Sequence, residues 1–170
     1  MRSEDRRSAI LGMLERSGAP VSASTLAAEY GVSRQVIVSD VALLRAGGAG
    51  ISATPRGYVL RTAPEGVIRQ IACRHGDGEM ERELNTIVDQ GCTVLDVIVE
   101  HPVYGQLTGE LQLKSRYDVG EFLRRCASSD ARPLSELTDG VHLHTIACPD
   151  EDAYRRVCGE LHDLGFLLEN

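Results

Sequence analysis

Long hydrophobic runs are missing from this 170-residue chain. No apolar stretch approaches the roughly 20 residues that span a bilayer, and residues 1–20 lack the apolar core of a signal peptide. No membrane partner is therefore expected, and the expected location is the cytoplasm. Cys-x-x-Cys is missing too. The five cysteines (Cys73, Cys92, Cys126, Cys148, Cys158) are odd in number and widely spread, which argues against a disulfide framework and against a thiolate zinc site. They read as buried, reduced thiols. Internal repeats and low-complexity tracts are absent, which excludes a repeat array. His-Glu-x-x-His is absent as well, so a hydrolytic metal site has no motif behind it.

What is present suits a soluble folded protein: 42% apolar and 25% charged residues, in a length that fits one ordinary domain or two small ones. The net charge of −7 argues against a nucleic-acid partner until it is divided along the chain. Residues 1–62 carry eight arginines and five acidic groups, a balance of +3. The remainder carries −10. A basic head on an acidic body fits a protein in which only the head meets phosphate.

The head reads as three short helices and a hairpin. Ser3 is placed as the cap of a helix to Arg16 that carries Ile10, Leu11 and Leu14 on one face. Ser22 or Ser24 caps a second helix through Tyr30, and Ser33 starts a third that reaches Ala46. The run Gly47-Gly48-Ala49-Gly50 stops it. Segments 51–54 and 57–60 flank Pro55-Arg56 as a small β-hairpin. Residues 62–66 read as a linker, giving expected domains of 1–62 and 66–170.

The body alternates. Strands are predicted over 67–73, 93–100, 107–114 and 141–147. Helices are predicted over 79–90, from the Ser115 cap to Cys126, and from the Asp150 cap onward, with a short last strand over 166–168. The order βαββαβ followed by a helix makes the expected class α+β: a winged helix-turn-helix, then a ferredoxin-like split βαβ sandwich with an extra C-terminal helix.

The segment from Leu26 to Ile37 has the chemistry of a helix-turn-helix. Ala27 is small enough for two helices to cross closely, and Gly31 takes the turn conformation that a Cβ disfavours. Val32, Val36 and Ile37 bury one face of the next helix. Its free N-terminal N–H groups suit a phosphate. Arg34, Gln35 and Ser39 then point outward, and these side-chain types read base edges or clamp phosphates. Arg56, at the hairpin tip, fits a wing that touches the minor groove or the backbone.

Histidines carry the second signal. His142 and His144 lie two apart on a predicted strand and so project from one face, close enough to share a cation. The plain alternative is a hydrogen-bonded or solvated pair. His75 stands before Gly76-Asp77-Gly78, a break that lets the chain fold back. Glu79, Glu81 and Glu83 are rival carboxylates on the following helix, and spacing does not choose among them. His101 opens the turn His101-Pro102-Val103-Tyr104-Gly105, as a structural turn residue or a ligand contact. His162 reads as a surface residue.

The run from Gly31 to Arg45, with Ala53-Thr54-Pro55-Arg56-Gly57-Tyr58, resembles the biotin-repressor-like winged-helix class. The turn 101–105, the stretch 128–138 and the strand segment 140–146 resemble the three-histidine sensor domain. Together the halves resemble the niacin-responsive transcriptional repressors of Gram-positive and related bacteria, over nearly the whole chain. The resemblance implies a homodimeric, non-enzymatic repressor of niacin uptake and NAD synthesis genes. It implies operator DNA as a partner and nicotinic acid as co-repressor; a mechanism consistent with it has the turn 101–105 close over the ligand ring, with His101 and Tyr104 as ligand contacts. It also implies a divalent transition metal (nickel, zinc or iron) held by His75, Glu83, His142 and His144, so the choice of Glu83 comes from the resemblance. The segment 74–78 matches less sharply than the His-x-His strand. Two other readings of the same residues are a regulator that senses the metal itself and a metalloenzyme with a DNA-binding head, in which Glu79, Glu81 or Glu110 would act as acid or base.

Overall fold

A computed structural model describes residues 1–169 as two compact units, Met1–Ala63 and a second that begins at Pro64. The division falls inside the expected linker.

The first unit packs α1 (Ser3–Ser17), α2 (Ala23–Tyr30) and α3 (Arg34–Ala46) with the hairpin β1 (Ile51–Thr54) and β2 (Gly57–Leu60). Ile10, Leu14, Leu26, Ile37, Val41 and Ile51 form its core. Ser22, rather than Ser24, caps α2 by accepting from the Thr25 N–H, and Ser33 caps α3 by accepting from Val36. Ser3 makes no cap: it lies inside α1, and Arg2 takes the boundary position without a side-chain bond. Gly31 adopts φ +63° and closes α2 through the Ala27 carbonyl. Val21 pairs with Tyr58, adding a one-residue bridge beside the wing. A buried ion pair joins the first and third helices, with Arg6 Nε 2.6 Å from Asp40 Oδ2 and Arg7 3.6 Å from the same carboxylate.

The second unit is a four-stranded sheet with helices on one face. Its elements are β3 (Val67–Arg74), α4 (Met80–Asp89), β4 (Thr93–His101), β5 (Gly105–Leu113), α5 (Arg116–Ala127), β6 (Val141–Cys148) and α6 (Glu151–Asp163). Ser115 and Asp150 cap α5 and α6. Short 3-10 turns cover Asp77–Glu79 and Leu134–Thr138. The expected α+β succession is present, but the strand order is β3-β6-β4-β5, with every neighbouring pair antiparallel. A ferredoxin-like sheet places its third strand between the first two; here the fourth takes that place. Polarity explains the difference. Strand β5 (GQLTGELQL) carries two glycines and several polar groups and tolerates an edge, while β4 (TVLDVIVEH) is apolar enough to lie inside. The expected last strand is reduced to one bridge, Cys73 to Leu167.

Side chains of β6 alternate. His142, His144, Ile146 and Cys148 face the helices, and Ile146 and Cys148 join Leu84, Ile87, Val94, Val157 and Leu161 in the core. The ladder between β4 and β6 is interrupted between Val94 and Ile98. Side chains satisfy the backbone there: the Thr145 N–H donates to Asp96 Oδ1 at 2.9 Å, and His144 Nδ1 lies 2.7 Å from the Asp96 carbonyl.

Candidate metal centre and nucleic-acid interface

Strand β6 supplies two of the candidate ligands through its two-residue period. Strand β3 delivers the third, because Cys73 pairs with His142 and the chain turns just beyond it to place His75 beside β6. Gly140 makes that approach feasible. It has φ +84°, and a Cβ there would stand 2.3 Å from the His75 carbonyl oxygen. Helix α4 turns Glu83 inward, 1% exposed, while Glu81 is exposed and Glu79 pairs with Arg82. Tertiary packing thus chooses the carboxylate that spacing left open.

The histidines converge on this carboxylate. His75 Nε2 is 2.6 Å from Glu83 Oε2, His142 Nε2 is 3.1 Å from Oε1, and His144 Nε2 is 3.4 Å from Oε2. The donor atoms of His75, Glu83 and His142 all lie within 4.8 Å of one another. Each imidazole uses its other nitrogen on a backbone carbonyl: His75 Nδ1 on Gly76, His142 Nδ1 on Gly140, and His144 Nδ1 on Asp96, at 2.7–2.8 Å. A carbonyl only accepts, so each Nδ1 carries the hydrogen. In the neutral rings every Nε2 is then a bare lone pair aimed at an anion. Three lone pairs and a carboxylate, all acceptors in a buried space, repel unless protons or a metal ion stand among them.

The proton affinities express the same conflict. Burial would push the Glu83 carboxyl up, but the charge of His144 and hydrogen bonds from the three imidazoles hold it well below the ordinary carboxylate range. Burial would push His75 and His144 down, but the Glu83 carboxylate overcomes it and raises both. Burial, and then the adjacent Glu83 charge, raises the Cys73 thiol, which therefore stays neutral in the metal-free protein. All five cysteines are free.

The donor set fits a divalent transition metal. Metal–nitrogen bonds of ~2.1 Å at tetrahedral angles put ligand atoms about 3.4 Å apart; the His142 and His144 contacts to Glu83 lie near this, the His75 contact is shorter, and His144 stands outside the mutually close group of His75, Glu83 and His142. Imidazole and carboxylate donors accept nickel, zinc or iron, and their type alone does not select among them.

His101 and Tyr104 stand elsewhere in the sequence of contacts. The His101 Nδ1 accepts from the Val103 and Tyr104 N–H groups, and its ring lies 5.0 Å from that of Tyr104. His101 is thus built into its turn, while Val103 and Tyr104 are exposed. His162 is exposed beside Asp163 and Glu169.

In the first unit, Arg34, Gln35 and Ser39 are exposed on α3, just beyond its Ser33 cap. The Ser39 hydroxyl donates to the Gln35 carbonyl at 3.1 Å. Arg56 sits half-buried at the wing turn, where its N–H donates to Thr54 Oγ1. Gly76, Asp96 and Gly140, which orient the imidazoles, escape sequence reasoning. All three act through backbone oxygens that every residue possesses, and the Gly76-Asp77-Gly78 break signalled only a chain reversal, not the orientation of a ring.

Comparison with known proteins follows the same division. An HTH domain model matches residues 6–59 and a 3H domain model matches residues 68–170. The chain is 46% identical to the probable transcription repressor NiaR of Thermotoga maritima over 166 residues, covering 98% of this chain and 95% of that protein. It is 44% identical to the transcription repressor NadR of Bacillus subtilis over 170 residues, covering 98% of this chain and 94% of the relative. Among the described residues no helix is long and apolar enough to cross a membrane. The chain belongs to the NiaR/NadR family of transcription repressors: it is a DNA-binding regulator, not an enzyme.

Proposed function

We propose that this repressor grips operator DNA as a cytoplasmic homodimer when nicotinic acid is bound, and so controls niacin uptake and NAD synthesis. Its sensor unit holds a divalent transition metal through His75, Glu83, His142 and His144. The observation that carries the metal assignment is the set of three imidazoles whose Nδ1 hydrogens are tied to backbone carbonyls while their Nε2 lone pairs meet on one buried carboxylate.

A bound cation would supply positive charge for a small carboxylate such as nicotinate. The chain's own groups do the rest. Gly76, Gly140 and Asp96 hold the imidazole tautomers, Glu83 offsets part of the charge, and the turn 101–105, with Tyr104 exposed, closes over the pyridine ring. Closure biases the spacing of two winged heads, which must match a groove repeat of about 34–36 Å. Arg34, Gln35 and Ser39 then meet the major groove, and Arg56 meets the backbone or the minor groove.

The test measures operator affinity with and without nicotinate in the wild type and in His142→Ala/His144→Ala, alongside nickel and zinc affinity. The double variant is expected to lose metal by more than the roughly 10- to 100-fold that follows loss of an outer hydrogen-bond partner, and to lose the nicotinate response. An unchanged response removes the metal from sensing. If metal alone changes operator affinity and nicotinate adds nothing, the cation itself is the signal.

A further inference from the structure

The polar readers on α3 do not account for its whole outer face. Ile37, Asp40 and Val41 are buried, and Val36 and Leu44 are half-buried. At 100° per residue the opposite side presents Gln35, Val38, Ser39 and Ala42, all exposed. Val38 is 39% exposed and stands among Arg34, Gln35 and Ser39. A β-branched apolar residue on a solvated helix face costs helix propensity, and 39% of its surface stays in water within this unit. Its place is that of a group which contacts something apolar outside the chain.

We infer that Val38, with Ala42 one turn further on, packs against thymine methyl groups, and so adds a thymine preference to the bases read by this helix. The major groove is polar at every base edge except one: only thymine offers a methyl group there. The two side chains lie about 6 Å apart along the helix axis, close to two base-pair steps of 3.4 Å. Gln35, about 20° round from Ala42 and about two turns before it, is the side-chain type that pairs with adenine through two hydrogen bonds. Val38 and Gln35 therefore suit a reading element for adenine and thymine. Leu43, also exposed, lies on the opposite flank of the outer face, about 140° round the helix from Val38.

The inference rests on α3 being the groove-reading helix. Full-length wild-type protein is used to select duplexes from a random-sequence pool, with nicotinate and nickel present. Each thymine of the selected duplex is then replaced singly by uracil, which lacks only the 5-methyl group. At one or two positions the wild type should lose about four-fold in affinity, the fold-change equivalent to burying one methylene-sized group. Val38→Ala should bind the parent duplex as weakly as the wild type binds the uracil duplex at those positions, and should no longer distinguish the two. Leu43→Ala should still distinguish them. A wild type indifferent to every uracil substitution, or a Val38→Ala variant with undiminished discrimination, overturns the thymine contact while leaving α3 a DNA reader. Failure to select any duplex overturns the groove-reading assignment itself.

Discussion

Asp40 in the first unit and Glu83 in the second are both acidic side chains buried on helices, and the two are partnered in opposite ways. Asp40 on α3 is matched by Arg6 and Arg7, whose guanidinium groups stay charged at any pH the cell meets. Glu83 on α4 is matched by three imidazoles, which are charged only when protonated. A permanent partner makes a fixed joint: the ion pair anchors α1 to the reading helix whatever the conditions. Conditional partners make a site whose charge balance depends on what it binds. The contrast teaches that burial of a carboxylate does not define its role; the permanence of its counter-charge does.

The comparison can be broken from either side. Removing Arg6 should have the largest effect. Arg6→Ala leaves Asp40 buried with only the more distant Arg7, and the first unit should lose about 3 kcal/mol of stability or more. Urea unfolding should show this loss equally with and without nickel. A nickel-dependent loss would mean that the joint is not independent of the sensor.

Next in size is Gly140→Ala. The new Cβ collides with the His75 carbonyl and forces a left-handed residue, at a cost of roughly 1–3 kcal/mol. The second unit should melt lower and bind nickel more weakly, while urea unfolding of the first unit stays the same. Full nickel affinity in this variant would show that His75 is not required at the site.

Acidity separates the two carboxylates further. In the proposed metal site a cation such as nickel would have to displace protons from His75 and His144, which hold them more tightly than an ordinary imidazole does. As pH is lowered, nickel affinity should therefore start to fall while still above the ordinary imidazole value of about 6.5, by up to ten-fold per pH unit for each proton displaced. In the metal-free protein the sign is reversed. The stabilisation from the two raised imidazoles is complete below about 6.5 and is lost as pH rises through their folded values. The Glu83 contribution is present above the ordinary carboxylate value and lost only in stronger acid. The metal-free second unit should thus be most stable between those limits, and its thermal midpoint should drop on going from pH 6 to pH 8.5. A midpoint that rises instead would contradict the imidazole–carboxylate pairing.

The smallest expected effect is at the DNA surface. Arg34→Ala should weaken operator binding by about ten-fold and reduce the slope of log affinity against log salt by roughly 1 if Arg34 meets a phosphate. Nickel affinity should not move. An unchanged slope, with relaxed preference at one base pair, would place Arg34 on a base edge instead.

Local features were readable without coordinates. The Ser22, Ser33, Ser115 and Asp150 caps, the Gly31 turn and the strand period that aligns His142 with His144 depend on neighbours a few residues away, and such signals survive in one dimension. Ser3 misled because a capping residue type near a chain start is a weak signal, and the helix boundary lies one residue earlier. The order of strands depends on which edge each strand tolerates, a competition among segments far apart in the chain, so the hairpin's polar member at the edge became visible only in the assembled sheet. The same holds for the site. Residue types and the two-residue period pointed to a pair of candidate ligands and the family resemblance pointed to Glu83, whereas spacing alone left Glu83 level with Glu79 and Glu81 until the side of α4 that meets the sheet was known. The orientation of the rings by the carbonyls of Gly76, Asp96 and Gly140 required the fold as well, because a backbone oxygen carries no mark in the sequence and gains its role only from what is brought against it.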